Sequence, residues 1–401
     1  MNQNIHAGAQ PRGTTGEVLA VFLRLGLTSF GGPIAHLGYF REELVVRRKW
    51  LDEAAYADLV ALCQFLPGPA SSQVGFALGL RRAGFAGALA AWAGFTLPSA
   101  LALLAFALGL ASFEGAAVSG ALHGLKLAAV AVVAQAVWGM SRTLAPDRVR
   151  ASIAVAAVVL IATTGTIHAQ VAAIALGALA GWRLCRDGPA AGTATLGFGV
   201  PRGIALAALI AFFALLLVVP AVAATGGPGL ALFDAFYRAG ALVFGGGHVV
   251  LPLLEGEVVA RGWVDADAFL AGYGATQAVP GPLFTFAAFL GAVSQNGAGG
   301  VAGAAIALVA VFLPGLLLVV GALPYWDALR ARPWAQGLVR GANAAVVGVL
   351  AAALYDPVWT SAVHSMRDFA FALAAFVALL SWRAPPWSVV AVAAMTGGIL
   401  A

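Results

Sequence analysis

Gln64-Phe65-Leu66-Pro67-Gly68-Pro69-Ala70-Ser71-Ser72 and its second copy, Gln277-Ala278-Val279-Pro280-Gly281-Pro282-Leu283-Phe284-Thr285, decide how this chain is read. A Pro-Gly-Pro tripeptide cannot continue an ordinary helix. Two backbone donors are missing, and the residue before each proline is pushed out of the α region. Yet both copies interrupt long apolar stretches in a chain of 401 residues that is 61% hydrophobic and 10% charged, with mean hydropathy +0.92. Those values exclude a soluble multidomain protein. The expected fold class is an all-α polytopic membrane protein with broken helices. Irregular backbone at membrane depth survives only where protein or a cavity surrounds it, and fifty glycines suit close helix approach in lipid.

A helix rising about 1.5 Å per residue needs about 20 apolar residues to cross the hydrocarbon. Thirteen such spans are expected, at 17–40, 54–80, 84–111, 117–140, 150–165, 167–183, 203–224, 231–254, 266–292, 300–321, 336–355, 367–382 and 386–401. Sliding the chain along itself by about 214 residues brings Phe22, Arg24, Gly26, Phe30, Gly31 and Gly32 onto Phe236, Arg238, Gly240, Phe244, Gly245 and Gly246. After small steps Pro67-Gly68-Pro69 meets Pro280-Gly281-Pro282, Pro98 meets Pro314, and Gly120 and Gly124 meet Gly337 and Gly341. The expected division is a cytoplasmic tail 1–16, a first transporter repeat 17–190, a linker with a connecting span 191–230, and a second repeat 231–401. Six spans per repeat plus one connector turn the second half upside down, an architecture recurrent in secondary transporters. An error of one span would leave the halves parallel.

The net charge of +5 reflects loop anchors, with no basic face interleaved with aromatics, so no nucleic-acid partner is expected. The expected location is the inner (plasma) membrane, and loop bases set the orientation, N-terminus cytoplasmic and C-terminus outside. One loop disagrees. Arg41, Arg47, Arg48 and Lys49 fall outside on this count, unless the Pro-broken segment 54–80 re-enters and returns to its own side.

The candidate substrate site gathers the matched features. Arg24 and Arg238 each lie about seven residues into a span, roughly 10 Å deep, where a charge usually faces a cavity. Two guanidiniums offer bidentate donors to a doubly charged tetrahedral oxyanion, with snorkelling to the interface as the alternative. Gly31 and Gly32, with Gly245 and Gly246, weaken the first span of each half and can aim backbone N–H groups at an anion. Gln64, Pro67, Gly68, Pro69 and Ser71 in one half, and Gln277, Pro280, Gly281, Pro282 and Thr285 in the other, break the second span and supply polar groups. His248, like His36, lies near a glycine cluster and can titrate. Glu17, Glu114, Asp234, Asp356 and Asp368 fall at span ends, so no buried carboxylate relay is visible. Cys63 and Cys185 are far apart and read as core thiols, and neither metal nor cofactor is expected. Signatures for ATP hydrolysis and for several hydrolytic or redox chemistries are missing.

Ser29-Phe30-Gly31-Gly32-Pro33, Trp50 with Asp52, Gln64 with Pro67-Gly68-Pro69, and the second-half copies Phe244-Gly245-Gly246-Gly247 and Gln277 with Pro280-Gly281-Pro282 together resemble the chromate ion transporters in their long-chain, two-domain form. The resemblance spans nearly the whole chain and implies two fused domains of opposite orientation. It further implies export of chromate from the cytoplasm, conferring resistance, with sulfate a competitor of the same shape and charge. Gly247 stands where the first copy has Pro33, so the halves need not share the site equally. The expected partners are a chromate or sulfate anion and membrane lipid, with a homodimer left open. A sulfate or other oxyanion transporter is the alternative reading, and a membrane-embedded enzyme or a scaffold are the competing classes.

Overall fold

A computed structural model describes residues 13–110, 116–164, 168–186, 198–330 and 332–400; most of the tail, the linker stretch 187–197 and Glu114 lie outside them. The described residues form helices and connecting turns, without strands. The first half runs α1 (Thr15–Thr28), α2 (Gly32–Phe40), a π-helical turn (Arg41–Arg47), α3 (Glu53–Phe65), α4 (Ala70–Leu110), α5 (Ala116–Leu144), α6 (Arg148–Thr164) and α7 (His168–Leu184). A connector, α8 (Arg202–Ala223), leads to α9 (Pro228–Ala241), α10 (Val250–Val258), α11 (Ala266–Thr276), α12 (Phe286–Val293) and α13 (Gly300–Ala322). The chain ends in α14 (Trp326–Arg330), α15 (Pro333–Ala353), α16 (Met366–Leu380) and α17 (Pro386–Leu400). Local chemistry starts the short helices. Asp52 accepts from the Ala55 amide at 2.8 Å to cap α3, and Asp265 caps α11 from the matching place.

Four of the expected spans fold differently. The Gly13 N–H donates to the Arg82 carbonyl (3.0 Å), and the Arg82 guanidinium pairs with Glu17 (3.1 Å) and covers the Trp50 ring. The start of α1, the loop between α2 and α3, and residue 82 of α4 therefore meet at one end. Between residues 70 and 110, α4 turns back on itself at Ala83 and Gly84 (φ +66°), with Gly79 and Gly87 in backbone contact across the fold. In the second half the Gln295 N–H donates to the Trp263 carbonyl (2.8 Å), and the Asn296 amide donates to the Pro228 carbonyl (3.1 Å). The start of α9, the loop between α10 and α11, and the end of α12 thus also share one end. Segments 17–40, 54–80, 231–254 and 266–292 are helical hairpins that enter and return, rather than through-going helices. The cause is the break in each, a turn on left-handed glycines after which the returning limb leads back to the end where the segment began.

Among the described residues, five helical stretches are long and apolar enough to cross a membrane: 70–109, 119–144, 202–223, 300–325 and 333–359. The first of these includes the fold at residues 83 and 84, so its crossing part is the second limb. The final helices are exchanged between halves. Gly177 and Gly181 of α7 lie backbone to backbone on Gly337 and Gly341 of α15, while Gly120 and Gly124 of α5 lie on Ala393 and Gly397 of α17. Small residues at four-residue spacing permit this approach, which dispersion and packing then stabilise in lipid.

A side chain at Gly341 would meet the Gly177 carbonyl and the backbone of Gly181. Overpacking of this kind costs about 1–3 kcal/mol. Gly341→Leu is therefore expected to lower the thermal unfolding midpoint in detergent, whereas Gly16→Leu, where an added Cβ meets nothing, leaves it in place. Equal midpoints would refute the exchanged contact.

Candidate functional site

The hairpin tips meet one another. Each tip turns on glycines in the left-handed region: Gly31 (φ +99°) and Gly32 (+78°), Gly68 (+121°), Gly245 (+76°) and Gly246 (+141°), and Gly281 (+102°). Side chains rarely adopt these angles, so the glycines are a backbone requirement. The Gly68 N–H donates to the carbonyl of Val243 (2.7 Å), and the Gly281 N–H donates to the carbonyl of Ser29 (2.9 Å). Ser29 and Val243 are the same position in the two copies. Each Pro-Gly-Pro break is thus held by the glycine break of the other half. Pro33 and Gly247, again matched positions, face each other at the centre, where a Cβ on Gly247 would lie 3.1 Å from the Pro33 ring.

Because each hairpin returns from its tip, the returning limb begins there. The N-termini of α2, α4, α10 and α12 accordingly start at the tips, the last two through single 3-10 turns at Gly247–Val249 and Leu283–Thr285. Each helix start carries roughly half a positive charge and unpaired N–H groups. The tip segments 29–33, 66–73, 242–249 and 277–285 contain no Lys, Arg, Asp or Glu. Their polarity is neutral and buried. Ser29 Oγ, Ser72 Oγ, Thr96 Oγ1 and Gln277 Nε2 are buried without a protein partner, as are His36 Nε2, Gln73 Oε1 and Asn343 Oδ1. Buried polar atoms normally find partners, so their concentration around the tips marks a place built to hold something polar.

The other polar groups there are committed to the protein. Gln73 Nε2 donates to the Pro67 carbonyl (2.9 Å) and to the Gly315 carbonyl of α13 (3.0 Å). Thr285 donates to the Pro282 carbonyl (2.7 Å), Ser71 Oγ lies 3.4 Å from His36 Nδ1, and the Tyr273 hydroxyl lies 2.7 Å from His248 Nδ1. Of the expected site residues, the tips therefore gather Gly31, Gly32, Pro67, Gly68, Pro69, Ser71, Gly245, Gly246, His248, Gln277, Pro280, Gly281, Pro282 and Thr285. Gln64 is exposed, unlike its buried counterpart Gln277.

Arg24 and Arg238 have other surroundings. Arg24 lies on the exposed face of α1 with Leu19, Leu23 and Leu27, opposite the buried face of Val18, Val21, Phe22 and Leu25. Arg238 is engaged by carboxylates. It pairs with Asp234 (3.0 Å) one turn earlier and with Glu257 (3.0 Å), which also pairs with Arg261 (2.6 Å). Helix phase and local acids decide their fates, and both signals were in the sequence. Ser29, Ser72, Thr96 and Asn343 are the additions; Thr96 could have been sought from its place two residues before Pro98.

Paired helix breaks that meet between two helix-exchanging halves, with long apolar helices around them, fit one class, the polytopic helical membrane transporter. The chain belongs to the chromate transporter family, whose model matches residues 16–182 and 230–398. It is similar to a chromate transport protein of Pseudomonas aeruginosa, 32% identical over 85% of this chain and 80% of that one. It is also similar to a "Probable chromate transport protein" of Synechococcus elongatus (30%; 96% and 95%) and to a chromate transport protein of Cupriavidus metallidurans (29%; 92% and 87%). No solved structure matches the fold. The family is one of transporters, and the chain is not an enzyme.

Arg238→Ala leaves Asp234 and Glu257, both largely buried, short of a donor. A loss of about 1–3 kcal/mol of stability is expected, read as a lower unfolding midpoint in detergent and partly restored by Glu257→Gln. A midpoint unchanged by Arg238→Ala would show that the network adds nothing.

Proposed function

We propose that this chain exports chromate from the cytoplasm and that the dianion binds at the meeting point of the four hairpin tips. The observation that carries the reading is the convergence of helix N-termini from both halves on buried, unpartnered polar groups, with no carboxylate in the tip segments to repel an anion. Backbone N–H groups and helix dipoles bind oxyanions without a formal counter-charge. Ser29, Ser72, Thr96 and the Gln277 amide supply further donors. Chromate is preferred as cargo because the similar proteins carry that name. Sulfate shares its charge and shape and is expected to compete.

In this reading the crossings are nine: residues 84–110 of α4, then α5, α6, α7, α8, α13, α15, α16 and α17. Four per half plus one connector still invert the second repeat. The loop with Arg41, Arg47, Arg48 and Lys49 now returns to the cytoplasmic side with the N-terminus, which agrees with the retention of bases there, and the C-terminus lies outside the inner membrane. With the interior negative, a dianion leaving alone gains about 4.6 kcal/mol per 100 mV. The membrane potential is therefore a sufficient driving force, and resistance to chromate follows from net efflux.

Everted vesicles are expected to accumulate chromate when the potential is imposed, with sulfate reducing the rate. Gln277→Glu places a negative charge among the helix starts and is expected to cut flux by about ten-fold or more, equivalent to about 1.4 kcal/mol. Arg24→Gln is expected to leave it within about two-fold. Normal flux in Gln277→Glu, or its loss in Arg24→Gln, would move the site away from the tips. For orientation, a cysteine at Lys49 is expected to label from the cytoplasmic side and one at Gly262 from the outside; labelling from the same side would mean parallel halves.

A further inference from the structure

Away from the tips, a cleft of about 1040 Å³ runs between α6 and α7 on the exposed side of that helix pair. It follows α6 from Arg148 to Thr163, about 22 Å at 1.5 Å per residue. Its rim residues Val155, Val159 and Leu176 are more than half exposed, while Ala156, Gly177 and Ala180 supply too little side chain to close it. Clefts that enclose a whole organic ligand measure about 300–1000 Å³. An apolar gap without an occupant forfeits dispersion contacts along its walls.

Polarity in the cleft is ordered along its length. Arg148 stands at one end and Ser152 one turn further in, followed by the apolar wall, and no Asp or Glu lines it. Among the described residues Arg148 makes no ion pair, whereas its neighbour Arg150 is taken by Asp147 (2.5 Å). Asp147 and Arg150 also lie close enough to the Cys185 thiol, just past α7, to act on it electrostatically, so the end of α7 meets the start of α6 here. Arg142, Arg183 and Arg186 belong to the same helix ends, and Asp147 is the carboxylate described among them. The guanidiniums of Arg183 and Arg186 lie over the Trp182 ring, at 4.7 and 5.4 Å. Tryptophan settles at the level of lipid headgroups, and it marks that level at the Arg148 end of the cleft.

We propose that this cleft binds one anionic phospholipid, with its phosphate at Arg148, its ester carbonyls beside the Ser152 hydroxyl, and an acyl chain lying between α6 and α7. The wall from Ser152 to Thr163 is about 16 Å long at 1.5 Å per residue, matching the roughly 15 Å of hydrocarbon that makes up half of a bilayer core. A single cation at one end of an apolar slot selects an amphiphile with one anionic end. A second copy packed here about a twofold axis along the membrane normal would instead set its own arginines beside these. In the orientation proposed above, the Arg148 end is cytoplasmic, where anionic lipids attract basic residues; the leaflet rests on that reading, and the site does not. A filled cleft backs α7, whose Gly177 and Gly181 carry the contact with Gly341 and Gly337 of α15. The lipid thereby braces the joint between the halves.

The test titrates the full chain in mild detergent with dioleoyl phosphatidylglycerol, or with dioleoyl phosphatidylcholine as the neutral control, and counts bound lipid by native mass spectrometry. One phosphatidylglycerol per chain is expected to be retained in preference to phosphatidylcholine, and to raise the thermal unfolding midpoint further. Arg148→Gln is expected to weaken phosphatidylglycerol binding about five-fold, the effect of one basic residue near an anionic headgroup, and to leave phosphatidylcholine binding level. Ala156→Trp, at an exposed position in the cleft, fills it and is expected to displace the lipid, whereas Arg367→Gln, at an exposed arginine of α16, keeps it. Equal retention of the two lipids, or phosphatidylglycerol binding unaltered in both Arg148→Gln and Ala156→Trp, overturns the site. A dimer that Ala156→Trp dissociates also overturns it, since the cleft would then be a contact between copies. These readouts need neither chromate nor a sided membrane, so failure here and failure of the transport reading are separate results.

Discussion

In hydrocarbon a broken helix must hand its freed peptide groups to another part of the protein, and here each half hands them to the other. The Gly68 N–H goes to Val243, the Gly281 N–H goes to Ser29, and Gln73 ties the Pro67 carbonyl to Gly315 of the other half. An unsatisfied group at this depth would cost several kcal/mol. Neither half can therefore keep its tips without its partner. The exchange of α7 onto α15 and of α17 onto α5 reinforces the same dependence from outside. The duplication is thus one folding unit around a shared centre, and the site exists only in the assembled pair.

The breaks and their pairing were legible because proline and glycine act locally. Pro67-Gly68-Pro69 forbids a regular helix whatever surrounds it, Gly245-Gly246-Gly247 weakens one, and each does mark a tip. What counting apolar residues missed was direction. A 24-residue apolar segment with a break buries similar surface whether it crosses or returns, so composition cannot separate the two. The one sequence signal that bears on direction is the cluster of bases from Arg41 to Lys49, which disagrees with thirteen crossings but is met equally by a loop tolerated outside or by a chain that comes back.

The arginines show a different limit. Depth along a span says that a charge is expensive but not which way it faces. For Arg24 the apolar positions 18, 21, 22 and 25 already define the inward stripe of α1 and leave residue 24 outside it. For Arg238 the acid four residues earlier, Asp234, is a helical pairing visible without any structure. Thr96 and Asn343 reach the centre from helices remote in sequence, and only the packing of those helices brings them in.

Pseudo-symmetry also has an energetic consequence. In the inverted arrangement proposed above, identical halves would make inward-facing and outward-facing states equal in energy and equally populated. They differ at the centre, where Gln73 and Thr96 of the first half stand opposite Phe286 and Phe312 of the second, and Pro33 stands opposite Gly247. They differ again on the outside, where α8 packs on α9 and Tyr237 donates to the Phe212 carbonyl, while α1 keeps Leu19, Leu23 and Leu27 uncovered. A difference of about 1.4 kcal/mol between the two states would make one ten-fold more populated. Net direction is still set by the gradients, because a protein that only changes shape cannot bias the overall equilibrium. What the asymmetry sets is the state in which the empty transporter waits, and hence the face on which its tips meet the next anion.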